Sequence, residues 1–207
     1  MTLTVAPYGD SALLATVSGG SVEDRWLAVR RLADAVEADG IPGVLDVVAT
    51  YDALLVEFDC ARTTHDEVAG ALRDARGTAA VPTPTTYRIP VVYGGEHGPD
   101  LPDVAAQLGL TERDVVRLHT ETPWVVRFRG APAGAPMMDG SRFPAPISRC
   151  PRPRTHVPAG SVAVSGRQAV IYPVRSPGGW RLIGRTPLRL LDLGYRPGDV
   201  FRFESHG

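Results

Sequence analysis

A chain of 207 residues with a formal net charge of −1 is long enough for one large core or two small ones. Its near-neutral balance offers no field for a polyanion, so no nucleic-acid partner is expected, and no window is apolar enough to span a membrane. All 22 Lys/Arg positions are arginine, which excludes a biotinyl-lysine, a Schiff base and a P-loop lysine from this chain.

The first third reads as a small α+β unit. Residues 3–5 and 12–17 have strand character around a Tyr8-Gly9-Asp10 turn. Ser21 with Asp24 forms a capping-box pattern, and Trp26, Val29, Leu32, Ala33 and Val36 then share one helical face, stopped by Gly40 and Pro42. Residues 44–49 and 54–58 read as a hairpin, and a second helix is expected over 64–76 with Val68 and Leu72 inward. The order β-β-α-β-β-α implies two helices on one face of an antiparallel sheet, a ferredoxin-like arrangement over residues 1–77. His65 beside Asp66 reads as a solvated helix start rather than an acid/base pair.

Small, uncharged, proline-bearing residues make 78–86 a linker. Beyond it, 87–93 is a strand followed by the glycine loop Gly94-Gly95-Glu96-His97-Gly98-Pro99-Asp100. Asp100 is placed to cap a helix carrying Val104, Ala105 and Leu108 and closed by Gly109; Thr111 with Asp114 starts another. Glu96 and His97 are either an acid/base pair or part of a plain connection. Residues 125–128 form a strand, 130–141 a loop of small residues, and from there proline and glycine recur as in a compact β-barrel. Val162 and Val164, then Val170 and Ile171, are short strands about Ser165-Gly166, and Ser176-Pro177-Gly178-Gly179 is a tight turn before a strand through Trp180, Leu182 and Ile183.

Cys60 and Cys150 show no metal-ligand spacing, and no metal site is expected. Two widely spaced thiols fit a reduced, cytoplasmic setting. The opening MTLTVAPYGD has neither a basic region nor an apolar core, so no signal peptide is expected.

Several segments carry a resemblance to one bacterial family. YGGEHGPDL (93–101), VPAGSV (157–162), IYP (171–173) and SPGGWRLIGRTP (176–187) are similar to the family variously named allophanate hydrolase subunit 1, the 5-oxoprolinase B subunit or the KipI sporulation-kinase inhibitor. GDSALL (9–14) and GVLDVVATYDALLVEFD (43–59) match in order, so the similarity spans nearly the whole chain. The resemblance implies a cyclophilin-like β-barrel over 87–207, without implying prolyl isomerase activity. It further implies a likeness to the first half of the urea carboxylase carboxyltransferase domain. A larger carboxyltransferase-like subunit and a third subunit are expected as partners, with a small-molecule amide as substrate. The implied activity is an ATP-dependent 5-oxoprolinase that opens 5-oxoproline to L-glutamate, with ATP held by another subunit. The alternatives are an allophanate hydrolase or urea carboxylase-type subunit, or a non-enzymatic histidine-kinase inhibitor.

One loop departs from the family pattern. GFAPGFPYLGG becomes Gly130-Ala131-Pro132-Ala133-Gly134-Ala135-Pro136-Met137-Met138-Asp139-Gly140, keeping Gly134 and Pro136 but replacing both phenylalanines and the tyrosine. At a packed site each Phe-to-Ala truncation removes about 3–5 kcal/mol of contact, and at an interface it removes an aromatic anchor.

Opening a lactam needs a positioned water, donors to the carbonyl and a carboxylate clamp. Arg154 and Arg185 are candidate clamps. Ser161, Gln168 and Tyr172 are candidate orienting donors, and His156 a group that titrates near neutrality. Gly134, Pro136, Ser176, Gly178, Gly179 and Trp180 are candidates for a pocket or partner interface. Structural readings stand beside these: Arg185 paired with an acid, Trp180 in the barrel core, His156 at the surface. No catalytic residue is singled out.

Overall fold

A computed structural model describes residues 1–74 and 83–206. Its contacts divide the chain into two compact units, Met1–Pro82 and Thr83–Gly207.

In the first unit, strands β1 (Thr2–Pro7) and β2 (Ala12–Ser18) precede helix α1 (Val22–Asp39), and β3 (Val44–Ala49) and β4 (Ala53–Phe58) precede α2 (His65–Asp74). The sheet order is β1-β2-β4-β3, with every neighbouring pair antiparallel. Leu13, Ala15, Val17, Leu54, Val56 and Phe58 alternate onto one face. There they meet Val29, Leu32 and Val36 of α1 and Val68, Ala69 and Leu72 of α2, so both helices share that face. The Ser21 box forms in both directions: Asp24 N–H donates to Ser21 Oγ (3.1 Å) and Ser21 N–H to Asp24 Oδ2 (3.0 Å). Gly40 closes α1 in the left-handed region. The last residues expected in the second helix and most of the expected linker lie outside the described residues.

The second unit runs β5 (Thr86–Tyr93), α3 (Leu101–Leu108), α4 (Glu112–Glu121), β6 (Trp124–Gly130), β7 (Ala135–Asp139), β8 (Arg154–Val157), β9 (Ser161–Ser165), β10 (Gln168–Ile171), β11 (Ser176–Gly178), β12 (Arg181–Arg185), a 3₁₀ turn (Leu190–Asp192) and β13 (Val200–Ser205). Seven strands close into a barrel, β10-β7-β6-β13-β5-β12-β9, which leaves none of them as an open edge. Only β13 and β5 pair in parallel within it. Ile89, Val91, Val126, Met138, Val162, Val164, Ile171, Ile183, Phe201 and Phe203 form its main core with Leu101 and Val104 of α3 and Val115 of α4.

Three expectations are corrected. Residues 135–139 are not loop but strand β7, paired with both β6 and β10. Ser176–Gly178 is not a turn alone but strand β11, which pairs with β8 across a register shift. Asp100 sits at the N-cap of α3 without a side-chain cap bond, because its carboxylate is engaged elsewhere. Thr111, by contrast, caps α4 as expected, accepting from Asp114 N–H at 3.1 Å. Among the described residues no helix is long and apolar enough to cross a membrane.

Candidate functional site

Strands β9, β10 and β12 are buried on both faces. Val162, Val164, Ile171 and Ile183 point to the main core, while Ala163, Val170, Tyr172, Leu182 and Trp180 form a second, smaller core with Val157 of β8 and Ala135 of β7. The β8–β11 ribbon thus supplies a layer over part of the barrel wall. Beside this layer is a cavity of about 210 Å³, lined by Ala131, Pro132, Ala135, Met137, Arg149, Val170, Tyr172 and residues Pro177, Gly178, Gly179 and Trp180.

Tyr172 is 5% exposed, and its hydroxyl oxygen accepts the Trp180 backbone N–H. Burial pushes the phenol above its ordinary pKa, so the hydroxyl keeps its proton at neutral pH and can donate it. Gly178 is glycine for reasons of space: a Cβ there would collide with the Tyr172 hydroxyl. Arg149 stands over the Trp180 ring with its guanidinium 5.9 Å from the centroid, and no carboxylate partners it among the described residues. A phenolic donor, a guanidinium and an aromatic face therefore meet at one small cavity.

A buried polar cluster holds this wall in place. Asp100 Oδ1 accepts from Arg154 Nη2 at 2.8 Å, and Oδ2 accepts from Leu182 N–H at 2.7 Å. Arg154 Nη1 donates to Cys150 Sγ at 3.2 Å, and Cys150 N–H donates to the Gly179 carbonyl at 2.8 Å. The Asp100 bond raises the Arg154 pKa further. The glycine loop is fastened to the same strand: Gly94 N–H donates to Ile183 O (3.1 Å) and Asp100 N–H to Leu182 O (3.0 Å). Gly98 lies so close to the Ile183 carbonyl that a Cβ has no room. Arg154 is thus tied into the scaffold, and its neighbour Arg149 is the guanidinium that reaches the cavity.

Arg185 lines a different cavity, of about 700 Å³, together with Arg175, Arg189, His97 and His206. Its Nε donates to Ala159 O at 3.0 Å. Residues 173–175 line this larger cavity and 177–180 the smaller one, so β11 and the residues before it separate the two.

The remaining candidates lie nearby in the scaffold. Ser161 is buried and opposite Arg185 in the β9–β12 register, and Gln168 is opposite Ser165. Ser176 faces Val157, its Oγ buried without a hydrogen-bond partner. The Gly134 carbonyl accepts from the Tyr195 hydroxyl at 2.6 Å, and Pro136 pairs opposite Arg129. His156 is exposed, its Nδ1 3.1 Å from Thr155 Oγ1. Glu96 and His97 stand 3.9 Å apart, with Glu96 almost fully exposed. Sequence reasoning missed Arg149. The run Arg149-Cys150-Pro151-Arg152-Pro153-Arg154 offers three arginines, and periodicity does not say which one turns toward a cavity.

The described residues thus form a small α+β unit and, later in the chain, a closed barrel carrying a separate β8–β11 ribbon with a cavity on either side of it. The chain belongs to the family of the carboxyltransferase domain, subdomain C and D, whose model matches residues 3–199. It is 32% identical over 225 residues to the 5-oxoprolinase B subunit of Bacillus subtilis (strain 168), covering 96% of this chain and 91% of that protein. It is 45% identical over 131 residues to the subunit of the same name from Escherichia coli O157:H7. That match spans 60% of this chain and 60% of the relative's length. The solved structure of TTHA0988 superposes with a TM-score of 0.81 at 32% identity, over 95% of this chain and 40% of that one.

Proposed function

We propose that the chain is one subunit of an ATP-dependent 5-oxoprolinase that opens 5-oxoproline to L-glutamate. It works with a larger carboxyltransferase-like subunit and a third subunit. The observation that carries this reading is the 210 Å³ cavity, where the Arg149 guanidinium and the Tyr172 hydroxyl converge on an apolar wall of Ala135, Met137 and Val170. That volume suits a one-ring lactam acid. Arg149 holds the carboxylate, the Trp180 face and the aliphatic wall hold the ring, and Tyr172 donates a hydrogen bond to a polar atom of the substrate.

In the reaction, ATP activates the lactam carbonyl oxygen as a phosphate and water adds to that carbon. The ring C–N bond breaks, its electron pair staying on the nitrogen, which is protonated as the amine; phosphate and ADP leave. This chain has no lysine with which to build a P-loop, so a lysine-based phosphate cradle, if the complex uses one, belongs to another subunit. Both cysteines are free, in keeping with a cytoplasmic setting. In fold terms the same reading makes the second unit a cyclophilin-like barrel and the first a ferredoxin-like unit. Moving β1 behind α2 regenerates the β-α-β-β-α-β order.

The test is 5-oxoproline-dependent ATP hydrolysis by the chain alone and co-expressed with the products of neighbouring reading frames. Activity only in the assembled mixture is the expected result. An assembled complex that is silent on 5-oxoproline but active on allophanate reassigns the substrate. Failure to assemble, together with inhibition of a histidine kinase, replaces the enzyme reading.

A further inference from the structure

The larger cavity is a poor match for a small amide acid. At about 700 Å³ a one-ring ligand would leave most of it filled with water. Its charge is equally mismatched to a monocarboxylate. Arg175, Arg185 and Arg189 line it with His97 and His206, and among the described residues no Asp or Glu lines it. Arg185 spends only its Nε, on the Ala159 carbonyl. Arg189 meets Asp192 at 3.6 Å with both side chains largely exposed, a screened pair that a stronger anion displaces. Apart from Thr186 the other side chains of the wall are apolar, with Val92, Val174, Leu188 and Leu190 among them. Three guanidinium groups over an apolar wall match a ligand that joins several adjacent negative charges to an uncharged body.

We propose that this pocket takes the polyphosphate tail of a nucleotide, with Arg175, Arg185 and Arg189 as the phosphate donors. The arginine fork pairs with phosphate oxygens two at a time, which a single carboxylate cannot exploit at three positions. This rests on the reading above that the complex uses ATP, while which amide it opens has no bearing on this pocket. The nucleotide is either bound wholly by this chain or held at its base by another subunit with its tail reaching into the pocket.

The experiment titrates ATP, inorganic triphosphate and adenosine calorimetrically at low salt, into the chain alone and into the assembled complex. Binding of ATP and triphosphate but not adenosine is expected, weakening steeply with added salt. Binding to the chain alone identifies the first source, and binding only to the complex the second. In either case the Arg185→Gln/Arg189→Gln double variant loses about tenfold in affinity for each guanidinium removed. Arg202→Gln, which removes an exposed charge outside the pocket, leaves affinity unchanged. Thermal melting by circular dichroism verifies that the variants fold. The proposal is overturned if neither preparation binds triphosphate, or if the double variant binds it equally well. It is also overturned if the double variant releases the partner subunit with nucleotide affinity intact, which would mark the pocket as a seat for an acidic partner segment.

Discussion

Asp100 and Arg154, 54 positions apart in sequence, form a 2.8 Å ion pair that fastens the glycine loop to the arginine-rich segment beside the small cavity. The aspartate is the more buried partner, with 8% side-chain exposure against 32% for the arginine, and it also takes the Leu182 N–H. Replacing Asp100 with Ala strands a partly buried guanidinium and a buried N–H. The full cost of splitting a buried pair, discounted for the arginine's solvent access, gives about 2–3 kcal/mol. Arg154→Ala strands the more buried charge, with the Leu182 N–H as its main remaining donor, and costs about 3–4 kcal/mol. Urea unfolding ranks the two variants; a smaller loss for Arg154→Ala than for Asp100→Ala contradicts this account.

Gly178 and the Tyr172 hydroxyl compete for one space. Gly178→Ala displaces the phenol, breaks its bond to Trp180 N–H and lowers stability by about 1–3 kcal/mol. Tyr172→Phe removes the nearest colliding atom but keeps the ring carbons Cζ and Cε1, at 2.8 and 2.9 Å, so it relieves the clash only in part. A double-mutant cycle should therefore show Gly178→Ala costing less in the Tyr172→Phe background than in the native one. Additive effects would mean that the oxygen does not set the glycine requirement.

His119 is fully buried, its Nδ1 2.8 Å from the Tyr93 hydroxyl, its ring 4.3 Å from that of Phe203 and its Nε2 without a partner. Burial lowers its pKa from 6.5 to about 3. The unfolded chain therefore binds a proton that the folded chain does not. Stability is retained above pH 6.5 and lost as pH falls from there toward 3, with a slope of up to about 1.4 kcal/mol per pH unit. His119→Leu should be less stable at neutral pH yet flatter across that window. Parallel stability curves for the two proteins would remove His119 as the source of the acid sensitivity.

Arg149 and Ala135 test the small cavity from opposite sides. Arg149→Gln removes the carboxylate partner and should raise the KM of the complex for 5-oxoproline about tenfold or more with a lesser effect on kcat. Ala135→Leu fills the cavity and should suppress turnover of 5-oxoproline, at a packing cost of about 1–3 kcal/mol. Native kinetics in both variants, measured in assembled complexes, would move the substrate site elsewhere.

Local patterns carried most of the elements. The Ser21–Asp24 box, the 44–58 hairpin and the Thr111 cap are decided by residues a few positions apart, and there sequence and structure agree. The 135–139 strand was not legible, because Ala-Pro-Met-Met-Asp has no clear alternation and becomes a strand only through pairing with β6 and β10. Asp100 has the local context of a cap, yet Arg154 and Leu182 offer its carboxylate a charge and a buried donor that an exposed helix end cannot match. The same holds for the site. The sequence by itself determined the family, the chemical types of the candidate groups and the exclusion of lysine chemistry, since these reside in side-chain identity and order. Only the tertiary structure decided that Tyr172 and Trp180 face one cavity with Arg149 while Arg185 faces another with Arg175 and Arg189. That division depends on where the β8–β11 ribbon lies between the two cavities, and its pairing with register shift is a non-local property that no short window encodes.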